Sequence, residues 1–269
     1  MSNLHVKPKR ETEGSRGRVL SITPESAGWK HVGFEVYELA AGESASAATG
    51  AREVCLVLVS GKAKIKAGGK DFGVLGERMT PFEGKPHSVY VPGKSDWRVE
   101  ATTDVTLAVC SAPSPGGRHP ARHISPQDMG QETRGKGTNV RYVTNILPED
   151  ALADSLLVVE VLTPGGHTSS YPPHKHDQDN LPAESALEET YYHRLNPPQG
   201  FAFQRVYTDD RSLDEAIVVE DGSVVMVPQG YHPVAAIHGY DLYYLNVMAG
   251  PRRTWKFHNA REHEWLMKK

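Results

Sequence analysis

Residues 57–70 read VLVSGKAKIKAGGK. An apolar run ends at Ser60-Gly61, a new run begins, and Gly68-Gly69 breaks it again. Within that second run Ala63, Ile65 and Ala67 alternate with Lys64 and Lys66. Alternation with a period of two puts the apolar side chains on one face of a strand and the lysines on the other. A short strand between glycine turns, with one dry and one wet face, belongs to an antiparallel sheet. The same texture recurs in SVYVPGKSDWRVEA (88–101), SLLVVEVLTPGG (155–166) and GSVVMVPQGYHPV (222–234). Helical periodicity is scarce. Many short strands separated by turn residues predict an all-β chain built as a sandwich or barrel.

The chain has 269 residues, 38% of them hydrophobic and 23% charged, which is enough for two domains with ordinary cores. Residues 111–137, SAPSPGGRHPARHISPQDMGQETRGKG, are rich in Pro, Gly and charge. The expected division is an N-terminal barrel over 1–115, a linker over 116–138 and a C-terminal barrel over 139–269. A net charge of −3 with both signs interspersed excludes the basic footprint of a nucleic-acid binder. No run approaches the roughly 20 apolar residues of a membrane span, and MSNLHVKPKRETEGS has no apolar signal core. The expectation is a soluble cytoplasmic protein. The two cysteines, Cys55 and Cys110, sit in strand-like runs and read as small reduced core residues.

The halves carry a faint repeat. Glu53 opens EVCLVLV and Pro92 follows 39 residues later; Glu189 opens ETYYH and Pro228 again follows by 39. Equal spacing suggests duplicated barrels with equivalent strands. The first half has SASAATGARE where a ligand pair would be needed, so its barrel is expected to be metal-free. His87, His119 and His123 lie in loop-like contexts and are expected to be solvated.

The chemistry concentrates in the second half. In YPPHKHD, His174 and His176 are two apart, so on a strand both imidazoles face one side. Glu189 begins a later strand, with Tyr191 and His193 on its face, and His232 follows VPQG. Three imidazoles and a carboxylate leave open positions on one divalent metal, and the set suits Zn, Mn, Fe, Co or Ni. A surface histidine pair is the bland alternative to HxH; the downstream Glu and PQGYH favour the metal.

These residues resemble the cupin motifs, HxH followed by Glu and Gly, then PxG followed closely by His. The resemblance implies a bicupin, two antiparallel β-barrels of the double-stranded β-helix or jelly-roll type. Twelve residues, DQDNLPAESALE, separate His176 from Glu189, where cupins usually have three or four. Glu184 and Glu188 therefore compete with Glu189 for the carboxylate role. The repeat spacing favours Glu189, and ETYY matches the cupin strand in which the Glu precedes an apolar run. The insertion is either a rim loop over the site or a plain surface loop.

The strings YPPHKHD, LEETYYHR, GFAFQRVYTDD, VPQGYHPVAAIHGYDLYYLNVMAG and RTWKFHN resemble the 5-deoxy-glucuronate isomerases of bacterial inositol catabolism, relatives of uronate ketol-isomerases. What this resemblance implies is an aldose–ketose isomerisation of 5-deoxy-D-glucuronate to 5-dehydro-2-deoxy-D-gluconate, by proton transfer or hydride shift. A small-molecule sugar acid is then the partner, and monomers and homo-oligomers are both compatible with the fold. Candidate catalytic residues are Tyr191 and His193. Candidate substrate contacts are Arg205, as a carboxylate clamp, and Tyr207; Arg253 is a weaker clamp. Tyr243, Tyr244 and Asn246 lie on a late strand of which one face should point inward. An Fe(II) cupin dioxygenase and a non-enzymatic sugar-acid-binding bicupin are the competing classes.

Overall fold

The computed structural model describes residues 4–9, 16–116 and 118–268. It divides into two compact units, and the chain does not pass from one to the other only once. The first comprises residues 8–130 and 145–158; the second comprises residues 1–7, 131–144 and 159–269. Among the described residues no helix is long and apolar enough to cross a membrane.

The first unit pairs a six-stranded sheet, ordered Arg122–Ile124, Ser88–Val91, Arg52–Ser60, Val105–Pro113, Gly33–Leu39 and Gly17–Ile22, with a four-stranded sheet. The four are Ser44–Ala48, Asp96–Ala101, Ala63–Ala67 and Lys70–Leu75. In Ala63–Ala67 the apolar side chains alternate as the sequence predicts: Ala63, Ile65 and Ala67 are buried and enter the core between the sheets, while Lys64 and Lys66 are exposed. Cys55 and Cys110 are cross-strand partners, both buried and free. Burial pushes the Cys55 thiol up to about 12.

The second unit repeats the plan. His5–Val6, Val224–Val227, Glu188–Asn196, Asp241–Ala249, Leu157–Thr163, Arg141–Leu147 and Gly130–Arg134 form a seven-stranded sheet. Thr168–Ser169, Val234–Ala236, Phe201–Tyr207 and Asp214–Glu220 form the four-stranded one. Tyr191, Val206, Val225, Val234 and Tyr244 pack between them. The architecture is the all-β double cupin that the sequence led us to expect.

Residues 116–138, expected as a linker, contain paired strand at both ends. Arg122–Ile124 lies against Ser88–Val91, and Gly130–Arg134 edges the seven-stranded sheet. The segment 145–158 belongs to the first unit because Glu53 holds it there. The Glu53 carboxylate is fully buried and accepts from the amides of Asp154 (2.7 Å), Ser155 (2.6 Å) and Leu156 (2.6 Å), and from the Tyr90 hydroxyl (2.7 Å).

The repeat is real, but the Glu53–Glu189 equivalence is not. Strands Arg52–Ser60 and Glu188–Asn196, Ser88–Val91 and Val224–Val227, and Val105–Pro113 and Asp241–Ala249 are each offset by 136 residues (188 less 52, 224 less 88, 241 less 105). Yet Val54, Leu56 and Leu58 enter the first core, whereas Tyr191 and Leu195 enter the second, so the offset joins side chains on opposite faces. The pairing explains it. Val54 stands opposite Val91, and Glu189 stands opposite Val227, with Val91 and Val227 both inward. Glu189 thus corresponds to Val54, and a one-residue slip turns Glu53 away from its own core.

His87 and His123 are not solvated loop residues. Their rings stack at 5.1 Å, and His87 Nδ1 lies 3.0 Å from His123 Nε2. His119 lies 3.7 Å from the Asp154 carboxylate.

Candidate metal centre

Two segments of the second unit bring three imidazoles together. His174–Lys175 pairs with His258–Asn259, and strand alternation sends His174 and His176 to one side and Lys175 to the other. Lys175 is held there by Asp177 (3.1 Å) and Asp209 (2.8 Å). His232 comes from the turn after Val224–Val227. Gly230 in that turn has φ 88°, and a Cβ on it would stand 2.4 Å from the Tyr207 carbonyl oxygen, so the turn requires glycine.

The ring nitrogens of His174, His176 and His232 lie within 4.8 Å of one another. Backbone carbonyls fix how two of the rings point. His232 Nδ1 donates to Gly230 O at 2.8 Å and His176 Nδ1 donates to Leu187 O at 3.2 Å, which leaves each Nε2 facing the cluster. Glu189 reaches the same point: its Oε2 is 3.1 Å from His176 Nε2 and 3.2 Å from His232 Nε2. His232 Nε2 is buried and makes no hydrogen bond, an orphaned basic nitrogen aimed into the cluster.

Burial lowers the His174 and His232 pKa values to about 3, with the neighbouring imidazoles adding to it at both. Both rings are therefore neutral and offer lone pairs. At His176 burial works in the same direction, but the hydrogen bond and charge of Glu189 outweigh it and raise the pKa. Three imidazoles, two of them held neutral, converging with a carboxylate are the donor set of a divalent transition metal, so these residues fit such an ion.

The insertion between His176 and Glu189 is a hairpin, Asp177–Asn180 against Glu184–Ala186. Glu184 closes it by accepting from the amides of Asp177 (2.7 Å) and Gln178 (3.1 Å), so its carboxylate is spent on the loop. Glu188 is adjacent to Glu189 on the strand and takes the opposite face.

Tyr191 and His193 share the inward face of Glu189. The Tyr191 ring lies 5.6 Å from His232 and its hydroxyl 2.9 Å from Ser170 Oγ. Burial raises the Tyr191 pKa well above the ordinary phenol value. His193 is deeper, stacked on Tyr191 at 5.9 Å and bonded through Nε2 to Gln204 Oε1 at 2.9 Å. Burial lowers its pKa to about 3, and its Nδ1 has no hydrogen bond.

Arg205 and Tyr207 are not brought to the histidines. On Phe201–Tyr207 the inward residues are Ala202, Gln204 and Val206. Arg205 lies on the outer face, pairs with both carboxylate oxygens of Asp214 (2.7 and 2.6 Å) and covers the Tyr207 ring at 4.4 Å. Tyr207 packs with Tyr231 and Ala260 in a separate cluster.

Sequence reasoning missed Ser170, Gln204 and Phe257, and left the face of the late strand open. Tyr244 faces inward, 4.9 Å from Tyr191, with Asn246 on its side; Tyr243 turns outward to Glu160 (2.9 Å). The Phe257 ring lies 4.7 Å from His174 at the rim.

Two cupin units, one of which gathers three histidines and a glutamate inside its sheets, define a bicupin with a single candidate metal centre among the described residues. The chain belongs to the KduI/IolB family, which it matches over residues 4–266, and is an enzyme of the isomerase class. It is 60% identical to a 5-deoxy-glucuronate isomerase of Geobacillus kaustophilus over 99% of this chain and 96% of that protein. The crystal structure of an IolB-like protein from Salmonella typhimurium has a TM-score of 0.95 at 55% identity, covering 99% of this chain and 100% of that one. An oxalate decarboxylase from Lactobacillus farciminis has a TM-score of 0.68 at 12% identity, covering 100% and 91%, a likeness of fold alone.

Proposed function

We propose that this chain is a metal-dependent aldose–ketose isomerase that converts 5-deoxy-D-glucuronate to 5-dehydro-2-deoxy-D-gluconate in inositol catabolism, in the cytoplasm. The observation that carries the reading is the buried cluster itself: three imidazoles and Glu189 converge below a wall of hydroxyls, in a chain whose relatives bear that enzyme name. His174, His176, Glu189 and His232 would hold one ion, from among Zn, Mn, Fe, Co and Ni. When bound, the ion supplies Lewis-acid polarisation at the substrate's oxygens.

The remaining work belongs to side chains. Isomerisation moves a hydrogen between C2 and C1 and exchanges which oxygen is the carbonyl. Tyr191 stays protonated, because burial raises its pKa, and so donates a hydrogen bond to a substrate oxygen. Ser170 aims that hydroxyl from 2.9 Å, and does so from a left-handed backbone conformation, φ 49°, that non-glycine residues seldom adopt. His193 is four residues beyond Glu189, roughly 13 Å along the strand at 3.3 Å per residue. That depth supports Tyr191, the nearer of the two to the cluster, as the proton donor to a substrate oxygen, with His193 backing its ring. Gln204 holds His193 and also approaches the His232 carbonyl at 3.4 Å.

The test is proton NMR of the metal-loaded protein with 5-deoxy-D-glucuronate, together with metal analysis. Loss of the aldose signals and growth of the 2-deoxy ketose is the expected result, with His174→Ala losing metal and turnover while staying folded. A loaded enzyme that leaves the uronate unchanged, or a metal-free variant with full turnover, sinks the proposal.

A further inference from the structure

A sugar acid brings a carboxylate that must leave water, and a buried carboxylate needs a cation or several donors. Arg205 cannot serve, since Asp214 already neutralises it on the outer face. Another arginine in the second unit is placed differently.

Arg141 opens the strand Arg141–Leu147. Residues two apart share a strand face, and Val143 lies in the inner core with Tyr191 and Tyr244, so Arg141 faces inward at the strand's end. One guanidinium nitrogen, Nη1, donates to Asn139 O at 3.0 Å. Asn139 is fixed in turn: its Nδ2 donates to Tyr171 O at 3.0 Å, three residues before His174, and its Oδ1 accepts from Thr168 at 3.1 Å. The guanidinium is thus tied to the backbone that delivers the histidines. Gly135 lets the turn close there, since a Cβ on it would stand 2.0 Å from the same Asn139 carbonyl oxygen.

Arg141 is partly buried, and among the described residues no carboxylate pairs with it. Its neighbour Arg134 is paired to Glu132 at 2.9 Å. Burial without a counter-ion lowers the Arg141 pKa. A half-desolvated cation with a donor edge left over, on the inward face of a strand and tied through Asn139 to the segment that leads into His174, is built to receive an anion.

We propose that Arg141 binds the carboxylate of the sugar-acid substrate through the guanidinium edge that Asn139 leaves free, with the reacting end of the sugar toward His174, His176, Glu189 and His232. The assignment rests on the isomerase reading above, and the experiment separates the two.

The probe is the reduced substrate, in which CH2OH replaces the aldehyde so that no isomerisation can follow; its dissociation constant is measured by calorimetry on the metal-loaded enzyme. A neutral counterpart carries CH2OH in place of the carboxylate. Arg141→Gln should weaken binding of the reduced acid by about tenfold or more and leave the neutral sugar unchanged. KM for the uronate should rise in parallel, with kcat and metal content close to wild type. Arg141→Lys, which keeps the charge but not the fork, should recover part of the loss. Unchanged acid binding in Arg141→Gln, or equal loss for acid and neutral sugar, overturns the proposal. A wild-type enzyme that binds the reduced acid through Arg141 but turns over no uronate refutes the isomerase reading and leaves the anion site standing.

Discussion

The backbone amide of Gly230 donates to Asp177 Oδ2 across 2.8 Å. This bond joins the two segments that carry the histidines, because Asp177 follows His176 and Gly230 precedes His232 by two. The other Asp177 oxygen accepts from Lys175 (3.1 Å) and Gln178 (3.0 Å), so the carboxylate is held from both sides. Asp177→Ala should loosen the approach of His176 to His232 without removing a ligand. The expected loss in metal affinity is about 10- to 100-fold, read by competition with a chromophoric chelator. An unchanged affinity would show that the two segments hold their spacing without this link.

The choice among three glutamates can be settled by metal content. Glu189→Gln should lose bound metal and turnover, because it removes the charge beside His176 and His232. Glu188→Gln should keep both. Glu184→Gln should keep the metal while the hairpin it closes becomes more open to proteolysis. Retention of metal by Glu189→Gln together with its loss from either other variant would reassign the carboxylate.

The histidine cluster was legible in the sequence because its signals are local. HxH on a strand fixes a shared face by geometry alone, and Gly230 is demanded by a turn that a Cβ would block. Of the two grounds for preferring Glu189, the strand pattern of ETYY stands and the repeat spacing does not. The 39-residue spacing matched Glu189 to Glu53, and these side chains leave their strands on opposite faces. Strand ends coincide in the repeat while the register between strands has slipped by one, and register is a property of pairing that linear spacing does not encode. Arg205 failed for a related reason. In FAFQRVY the two phenylalanines face outward and Gln204 faces the core, which inverts the usual hydrophobic-in pattern and sends Arg205 outward with them. The exchange of residues 4–7 and 145–158 between the units depends on contacts across more than a hundred positions, such as Glu53 with Asp154.

Arg205→Ala should therefore leave KM for the uronate unchanged. Its pair with Asp214 is at the surface, where solvent screening leaves an ion pair little stabilising weight, so the melting temperature should move little. A clear rise in KM would return Arg205 to the substrate pocket.

Glu53 offers the converse case, a carboxylate with structural weight and no place at the metal. Glu53→Ala leaves three backbone amides and the Tyr90 hydroxyl without their acceptor. Two of these bonds are buried and two partly so; an unpaired buried donor costs about 1–3 kcal/mol, so the variant should lose at least about 2 kcal/mol in chemical denaturation. Its metal content should match wild type. Loss of metal with stability intact would contradict the account of Glu53 as a staple for residues 145–158.

Tyr191→Phe separates acid–base chemistry from metal binding. The substitution removes one oxygen from a fully buried ring that stacks between His193 and Tyr244 and touches no ligand through its hydroxyl. Metal content should be unchanged, and KM should shift little. Removing a positioned proton donor commonly lowers kcat by about 100- to 10,000-fold, and that is the expected loss. Ser170→Ala should give a smaller fall in kcat, because the Tyr191 hydroxyl remains but loses the partner that aims it from 2.9 Å. A Tyr191→Phe enzyme with wild-type kcat would move the proton chemistry elsewhere in the pocket, to Tyr244 in the first instance. Equal losses in the two variants would instead make the Ser170–Tyr191 pair the functional unit, which a Tyr191→Phe, Ser170→Ala double variant would show by losing no more than either alone.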